Sequence, residues 1–394
     1  MRVLQITPQL PYPPDSGGRV GIFNSIKYGS RYHEITLLTF VSEDCKRHIQ
    51  DLKNYCNDVV TVSHDTGNSY LAMVANLVSN RPYPIAKFAS PTMFEEVRKL
   101  KASRRFDVVH VDHLHMAQYQ RVIGQSIPTV LRQHNVESVI MQRYAEKARN
   151  PLKRSFAALQ ARRLSEYEAR ICRAFSCVVP VTDVDGATLV SMSPNTRVEV
   201  IPSGVDTEVF TQQSAAPEME PYRLVTTGDY GWPPTSDGLR YLVEDILPLI
   251  RKRIPQAKLA IVGRNPLSNL QNLEDCGIDL IGRVEDVRPE ILKSAVFVVP
   301  TRIGSGIRLK ILEAMALERP VVSTSIGCEG IDVVRGKDLL VEDEPSGFAE
   351  AVVGLLECPD RGRSMAVSAH DLIRQKYSWD MLAKRFNTLY GSLV

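Results

Sequence analysis

The chain has 394 residues, 44% of them apolar and 24% charged, which is more than one hydrophobic core usually serves and fits a globular protein of two domains. That balance excludes a mostly disordered or fibrous chain; no apolar run approaches the ~20 residues of a membrane span, and residues 1–6 read as a strand rather than a secretory signal. The net charge of +3 divides unevenly: residues 1–200 carry 26 Lys and Arg against 18 Asp and Glu, residues 201–394 carry 22 against 27.

The seven cysteines are scattered and form no Cys-x-x-Cys pair. A disulfide framework or structural zinc site is therefore not expected, and a reducing, cytoplasmic compartment is. A β-rich run at residues 2–7 leads into a Pro- and Gly-rich turn and then a helical segment, a βα unit. Further β-branched runs at 34–40, 59–62, 108–111 and 128–131 are separated mostly by helix-compatible stretches, the pattern of a parallel sheet covered on both faces. The scheme restarts with strands at 223–228, 258–263, 278–282, 296–300 and 320–324. Three of these five end at Gly, where backbone can approach a ligand. Residues 211–221 are polar and Pro-containing, as linkers are.

The fold class is thus α/β with two doubly wound, Rossmann-like domains. The first spans residues 1–205, a linker spans 206–221, and the second spans 222–375. An amphipathic C-terminal helix at 376–394 is expected to pack back on the first domain. Two open α/β domains facing each other would form a central cleft lined by the carboxyl ends of both sheets, where such folds bind ligands.

Several motifs stand in order along this frame: Asp15-Ser16-Gly17-Gly18, Phe106-Asp107-Val108-Val109-His110-Val111, Ile201-Pro202-Ser203-Gly204-Val205-Asp206, Gly282-Arg283-Val284, and Gly304-Ser305-Gly306-Ile307-Arg308-Leu309-Lys310 running on to Glu313. Tyr377-Ser378-Trp379-Asp380 closes the series. In that order and at those separations the chain resembles a GT-B glycosyltransferase of family 4, retaining and nucleotide-sugar dependent. A Gly-Ser-Gly loop opening a helix offers free backbone N–H groups and a dipole to phosphate. Arg308 and Lys310 add charge, and the Arg fork suits phosphate oxygens. The expected diphosphate and nucleotide site therefore comprises Gly17, Gly18, Arg264, Arg283, Val284, Gly304, Ser305, Gly306, Ile307, Arg308, Leu309, Lys310 and Glu313. The resemblance implies that Glu313 holds the ribose hydroxyls, and main chain at Arg283 or Val284 would read the base. The alternative for these basic residues is a solvated helix cap.

Two departures from the family stand out. The family usually carries a second acid eight residues before Glu313, and here that position is Ser305. Where many relatives place Arg and Lys after the first strand of the second domain, this chain has Asp229 and Asp237, so the compensating cation is expected from Arg308, Lys310, Arg264 or Arg302. Trp232, in a Trp-Pro-Pro loop, is a sugar contact or simple packing.

In the first domain, His110, Asp112, His113 and His115 crowd the end of a strand. The resemblance implies a histidine that contacts the donor sugar, falling on Asp112 or His113 according to register, so both join Arg308 and Lys310 as catalytic candidates. His134 and Asn135, after the next strand, are candidates for sugar or acceptor. Two histidines alone are a poor ligand set and strand alternation separates neighbours, so no metal and no cofactor are expected. Asp183-Val184-Asp185 is a DxD, but at a helix start Asp is an ordinary cap. Residues 143–173 hold nine Lys and Arg against three Glu, either a patch for anionic lipid or a solvated face.

The resemblance implies transfer of a hexose, glucose first, from a UDP-sugar to a polysaccharide or lipid-linked glycan. GDP and ADP stay open as bases. The protein would work in the cytoplasm, with peripheral contact at the cytoplasmic face of the membrane as one reading, and without nucleic acid as a partner. Alternatives are a nucleotide-sugar 2-epimerase and a catalytically dead paralogue that senses nucleotide sugar or scaffolds an assembly.

Overall fold

The computed structural model describes residues 1–148, 150–211, 217–265 and 277–394. Part of the expected linker, residues 212–216, and Arg149 of the basic stretch lie outside the described residues. The chain divides into two units, residues 1–203 with 379–394, and residues 204–378.

The first unit is built on six parallel strands, β1 (Arg2–Thr7), β2 (Glu34–Val41), β3 (Asp58–Ser63), β4 (Val108–Asp112), β5 (Thr129–Gln133) and β6 (Cys177–Pro180), in the order β3-β2-β1-β4-β5-β6. β1, β4 and β5 are buried almost throughout, which is why they read as continuous apolar runs rather than alternating ones. The helices that bear on function are α1 (Gly17–Gly29), α2 (Tyr70–Asn76), α3 (Glu137–Lys147), α4 (Pro151–Cys172) and α5 (Asp183–Met192). Thr182, not Asp183, caps α5: its hydroxyl accepts from the Asp185 amide at 2.9 Å and meets the Asp185 carboxylate at 2.7 Å. The DxD is thus spent on a helix start.

The second unit repeats the topology with β7 (Glu220–Asp229), β8 (Lys258–Arg264), β9 (Ile278–Gly282), β10 (Ser294–Val299), β11 (Val321–Ser323) and β12 (Leu340–Val341), ordered β12-β11-β10-β7-β8-β9. Each sheet reverses strand order once, between β1 and β4 and between β7 and β10, and such switch points are where doubly wound sheets bind ligands. Its helices include α6 (Pro233–Tyr241), α7 (Leu309–Ala316) and α8 (Pro345–Glu357).

The last helix, α9 (Trp379–Gly391), belongs to the first unit. Trp379, Leu382, Phe386, Leu389 and Tyr390 are buried against Val3, Val108, Val130 and Val179 of the first sheet. The apolar stripe of α9 therefore completes one face of that sheet.

Candidate active site

At the carboxyl end of β4 the chain turns sharply. Asp112 is the last strand residue, and His113 follows with φ of 67°, a conformation that costs a non-glycine side chain energy and persists only where packing fixes it. The turn sends neighbouring side chains into different surroundings. Asp112 is fully buried: Gln5 Nε2 donates to its Oδ2 at 2.6 Å, His134 Nε2 lies 3.2 Å from Oδ1, and Arg132 Nη1 lies 3.7 Å from the same oxygen. Burial alone would raise its pKa, but His110, His134 and Arg132 together hold it well below the usual carboxylate range.

Arg132 is itself fully buried and donates to Gly21 O and to Ser203 Oγ, each at 3.0 Å. Asp112 is thus the counter-ion that keeps Arg132 inside the unit. As a candidate to touch a sugar it is corrected by this geometry, because both its oxygens point into protein.

His113 stacks on His134, ring centroids 4.0 Å apart and planes 11° from parallel. Its Nε2 is buried with no hydrogen-bond partner among the described residues, and a Cβ added at Gly18 would lie 3.6 Å from it. Of the two registers, His113 is the one that faces the first turn of α1, where Gly17 and Gly18 leave room. Burial holds His113 well below the usual histidine range, His134 at about 4 and His115 at about 3. The stacked rings are therefore neutral near pH 7 and act by hydrogen bonding rather than charge.

Glu137, at the start of α3, joins His113 and His115, with one ligand atom from each within 4.8 Å of the others. The sequence spacing concealed this third donor. Glu168, on α4, fixes its position by accepting from the Glu137 and Ser138 amides at 2.9 and 3.3 Å. Burial raises Glu137 to about 7, with Asn135 and Lys87 pulling the other way. The Lys87 ammonium already supplies positive charge beside Glu137 and His115, which works against a dication there.

In the second unit the switch point is made of backbone and cations. β10 ends at Val299, and residues 300–308 form an irregular loop before α7. Gly306 has φ of 77°, a left-handed turn that glycine takes without cost. Arg308 folds back on this loop, its Nη1 donating to the carbonyls of Ser305 and Gly306, the latter at 2.8 Å. In this conformation its guanidinium clamps the loop rather than pointing outward, which differs from the sequence expectation. Lys310, on the first turn of α7, donates to the Thr227 carbonyl at the end of β7. Gly228 allows that approach, since a Cβ there would come within 2.7 Å of Thr235 Cγ2 and 3.2 Å of Lys310 Nζ. Burial lowers Lys310 to about 8 and raises Glu313, one turn further on, to about 7.

The remaining expected cations are engaged. Arg264 pairs with Asp229 at 3.0 Å, and Arg302 makes a two-pronged pair with Asp237 at 2.8 and 3.0 Å. The two acids that depart from the family pattern are each neutralised by an arginine, and neither Arg264 nor Arg302 is the compensating cation first expected of them. Trp232 precedes α6 and is half exposed. Arg283 and Val284 follow Gly282 at the end of β9, with Arg283 on the surface.

Comparison with known proteins adds to this geometry. A sequence model described as Glycosyltransferase Family 4 matches residues 46–209, and one described as Glycosyl transferases group 1 matches residues 221–358. An uncharacterized 44.6 kDa protein in the cps region of Klebsiella pneumoniae is 20% identical over 95% of this chain and 96% of its own length. A GDP-mannose-dependent alpha-(1-6)-phosphatidylinositol monomannoside mannosyltransferase of Mycobacterium tuberculosis is 31% identical over 50% of this chain, which spans 56% of that protein. HepE of Anabaena, solved in complex with UDP, matches with a TM-score of 0.72 and 12% identity over 100% of both chains, a likeness of fold.

Proposed function

The chain belongs to glycosyltransferase family 4 with the GT-B fold, and we propose that it is a retaining hexosyltransferase that uses a UDP-sugar, first of all UDP-glucose. The observation that carries this reading is the Lys310 ammonium held at the end of β7 beside the amides that open α7, with Glu313 one turn away. N–H groups at a helix start, a helix dipole and a buried cation together form a receptor for a diphosphate, and the Glu313 carboxylate, which acts on Lys310, would take ribose hydroxyls. Arg308 would turn outward from its loop to a phosphate oxygen. Neutral His113, with His134 and Asn135, would meet sugar or acceptor hydroxyls. No metal or cofactor is invoked.

In the reaction the bond from the sugar's anomeric carbon to the diphosphate oxygen breaks, and a bond to the acceptor hydroxyl oxygen forms on the same face. The hydroxyl proton passes to a phosphate oxygen, and UDP departs. Stabilising the leaving charge is then the main contribution to catalysis. The acceptor is a polysaccharide or a lipid-linked glycan. We assign the basic stretch at residues 143–173 to anionic lipid at the cytoplasmic face of the membrane. No helix among the described residues is long and apolar enough to cross a membrane.

A GDP-sugar donor is the second reading, favoured by the name of the mycobacterial relative. The test is transfer from UDP- and GDP-hexoses to polyprenyl-diphosphate-linked sugars, with anomeric configuration read by NMR. Retained configuration and preference for a UDP-sugar are expected. Nucleotide binding without transfer to any acceptor would instead support a catalytically dead sensor, and inversion would remove the retaining mechanism.

A further inference from the structure

Helix α2 is built inside out. Tyr70, Leu71, Val74 and Val78 are 87, 85, 66 and 95% exposed, and Leu77 is 48% exposed. These positions, i, i+1, i+4, i+7 and i+8, make one continuous stripe. The side chain that the helix buries is polar. Asn76 donates to Arg81 O at 2.9 Å, while its Oδ1 accepts from Gln160 at 3.0 Å and its carbonyl accepts from Arg163 at 2.9 Å. Ser69 caps the first turn by accepting from the Ala72 amide at 3.3 Å. Polar groups thus anchor the helix to α4 and leave its apolar face outward, the reverse of a helix that folds onto a core.

The charge around the stripe selects its partner. Residues 66–90 and 150–166 together carry six cations, Arg81, Lys87, Lys153, Arg154, Arg162 and Arg163, against one acid, Glu166, which pairs with Arg162 at 3.1 Å. Leu152, Lys153, Arg154 and Arg162 are exposed on α4, the helix that holds α2. An apolar ridge among cations is the surface that enters the headgroup and acyl boundary of an anionic bilayer. A water-soluble partner would leave that run of positive charge unmatched unless it were itself acidic.

The same element adjoins the polar cluster of the first unit. Lys87 donates to Asn68 Oδ1 at 3.3 Å, just ahead of α2, and its charge acts on His115 and Glu137.

We infer that α2 with residues 77–78 is a wedge that inserts into anionic membrane, with the cations of α4 and Arg81 on the lipid headgroups, so that an acceptor anchored in the bilayer is delivered toward Lys87, His115 and Glu137. This deepens the membrane-contact part of the proposed function and is independent of the donor chemistry.

The experiment is cosedimentation of the full chain with vesicles of phosphatidylcholine alone or with about one part in four phosphatidylglycerol. Three proteins are compared: wild type, Leu71→Ser/Val74→Ser/Val78→Ser, and Lys153→Gln/Arg154→Gln/Arg162→Gln. Wild type is expected to pellet with the anionic vesicles and to keep part of that binding at high salt. The apolar triple variant should bind at least about tenfold more weakly, and the charge variant should lose most of the salt-sensitive part. Acceptor-independent release of UDP from UDP-glucose should be unchanged in the apolar variant, so failure of the wedge and failure of the transferase reading stay distinguishable. Wild type that ignores both vesicle types, or an apolar variant that binds like wild type, overturns the inference. So does a concentration-dependent dimer that the apolar variant abolishes without any vesicle binding, which would make the stripe a contact between copies.

Discussion

At the switch point of the first sheet, β4 delivers Asp112 and His113 into a cluster of buried, neutral imidazoles around an ion pair. At the matching place in the second sheet, β10 delivers a glycine loop, a helix start and the Lys310 ammonium resting on a main-chain carbonyl. The topology is shared and the chemistry is opposite. Buried charge in the first unit is matched internally, so it fixes geometry. In the second unit the Lys310 cation rests on a carbonyl dipole, beside the Glu313 carboxyl raised by burial and within the field of the Arg308 cation, so it retains charge for an anion.

The largest effect should come from breaking the internally matched half. Asp112→Ala leaves Arg132 buried without its carboxylate, and urea unfolding is expected to show a loss of about 3–5 kcal/mol. Glu313→Gln, in the other half, should lie within about 1 kcal/mol of wild type. Equal losses in the two variants would erase the contrast. Trp379→Ala, which empties the pocket that α9 fills on the first sheet, should cost a similar ~3–5 kcal/mol; a change below about 1 kcal/mol would mean that α9 is dispensable to that unit.

Next comes Lys310→Ala, for which steady-state kinetics should show turnover reduced well over tenfold, about 1.4 kcal/mol or more of transition-state stabilisation, with the circular dichroism of a folded protein. Wild-type turnover would move the phosphate site elsewhere.

The pH dependence sharpens the same point. Lys310, lowered to about 8 by burial, is charged at pH 7 and loses its proton as the pH rises through that value. Bound diphosphate favours the protonated form, so nucleotide affinity should fall from pH 7 to pH 9. An affinity that is flat or rising over that window would contradict an ammonium–phosphate contact. The smallest effect is expected from Asp229→Asn, which releases the charge of Arg264: calorimetry should show UDP binding tightened by roughly two- to fivefold. No change would mean that Arg264 lies beyond reach of the phosphates.

Ten of the twelve described strands were legible because parallel strands buried on both faces give near-continuous apolar runs; β6, four residues long, was not legible as a strand, and β12, two residues long, gave no such signal. The Gly-Ser-Gly loop and the residues of α7 were legible as a motif, but their partners were not. Lys310 meets Thr227 and Arg302 meets Asp237 across 83 and 65 residues of chain, and spacing carries no trace of such pairs. Asp112 and His113 could not be told apart in sequence, since the backbone turn at His113 decides which one meets Arg132 and which one faces Gly18. Glu137 joined the histidines only once the ends of β4 and β5 were side by side. Helix α2 passed unnoticed because its apolar periodicity points at solvent, against the usual meaning of that pattern.

The account rests on a nucleoside diphosphate settling at the start of α7. Titration calorimetry of UDP into wild type and Lys310→Gln at pH 7 tests this most directly. Saturable binding to wild type, weakened at least about tenfold in the variant, is the expected result. Equal affinity in both proteins, or no binding of UDP or GDP to wild type, would contradict it.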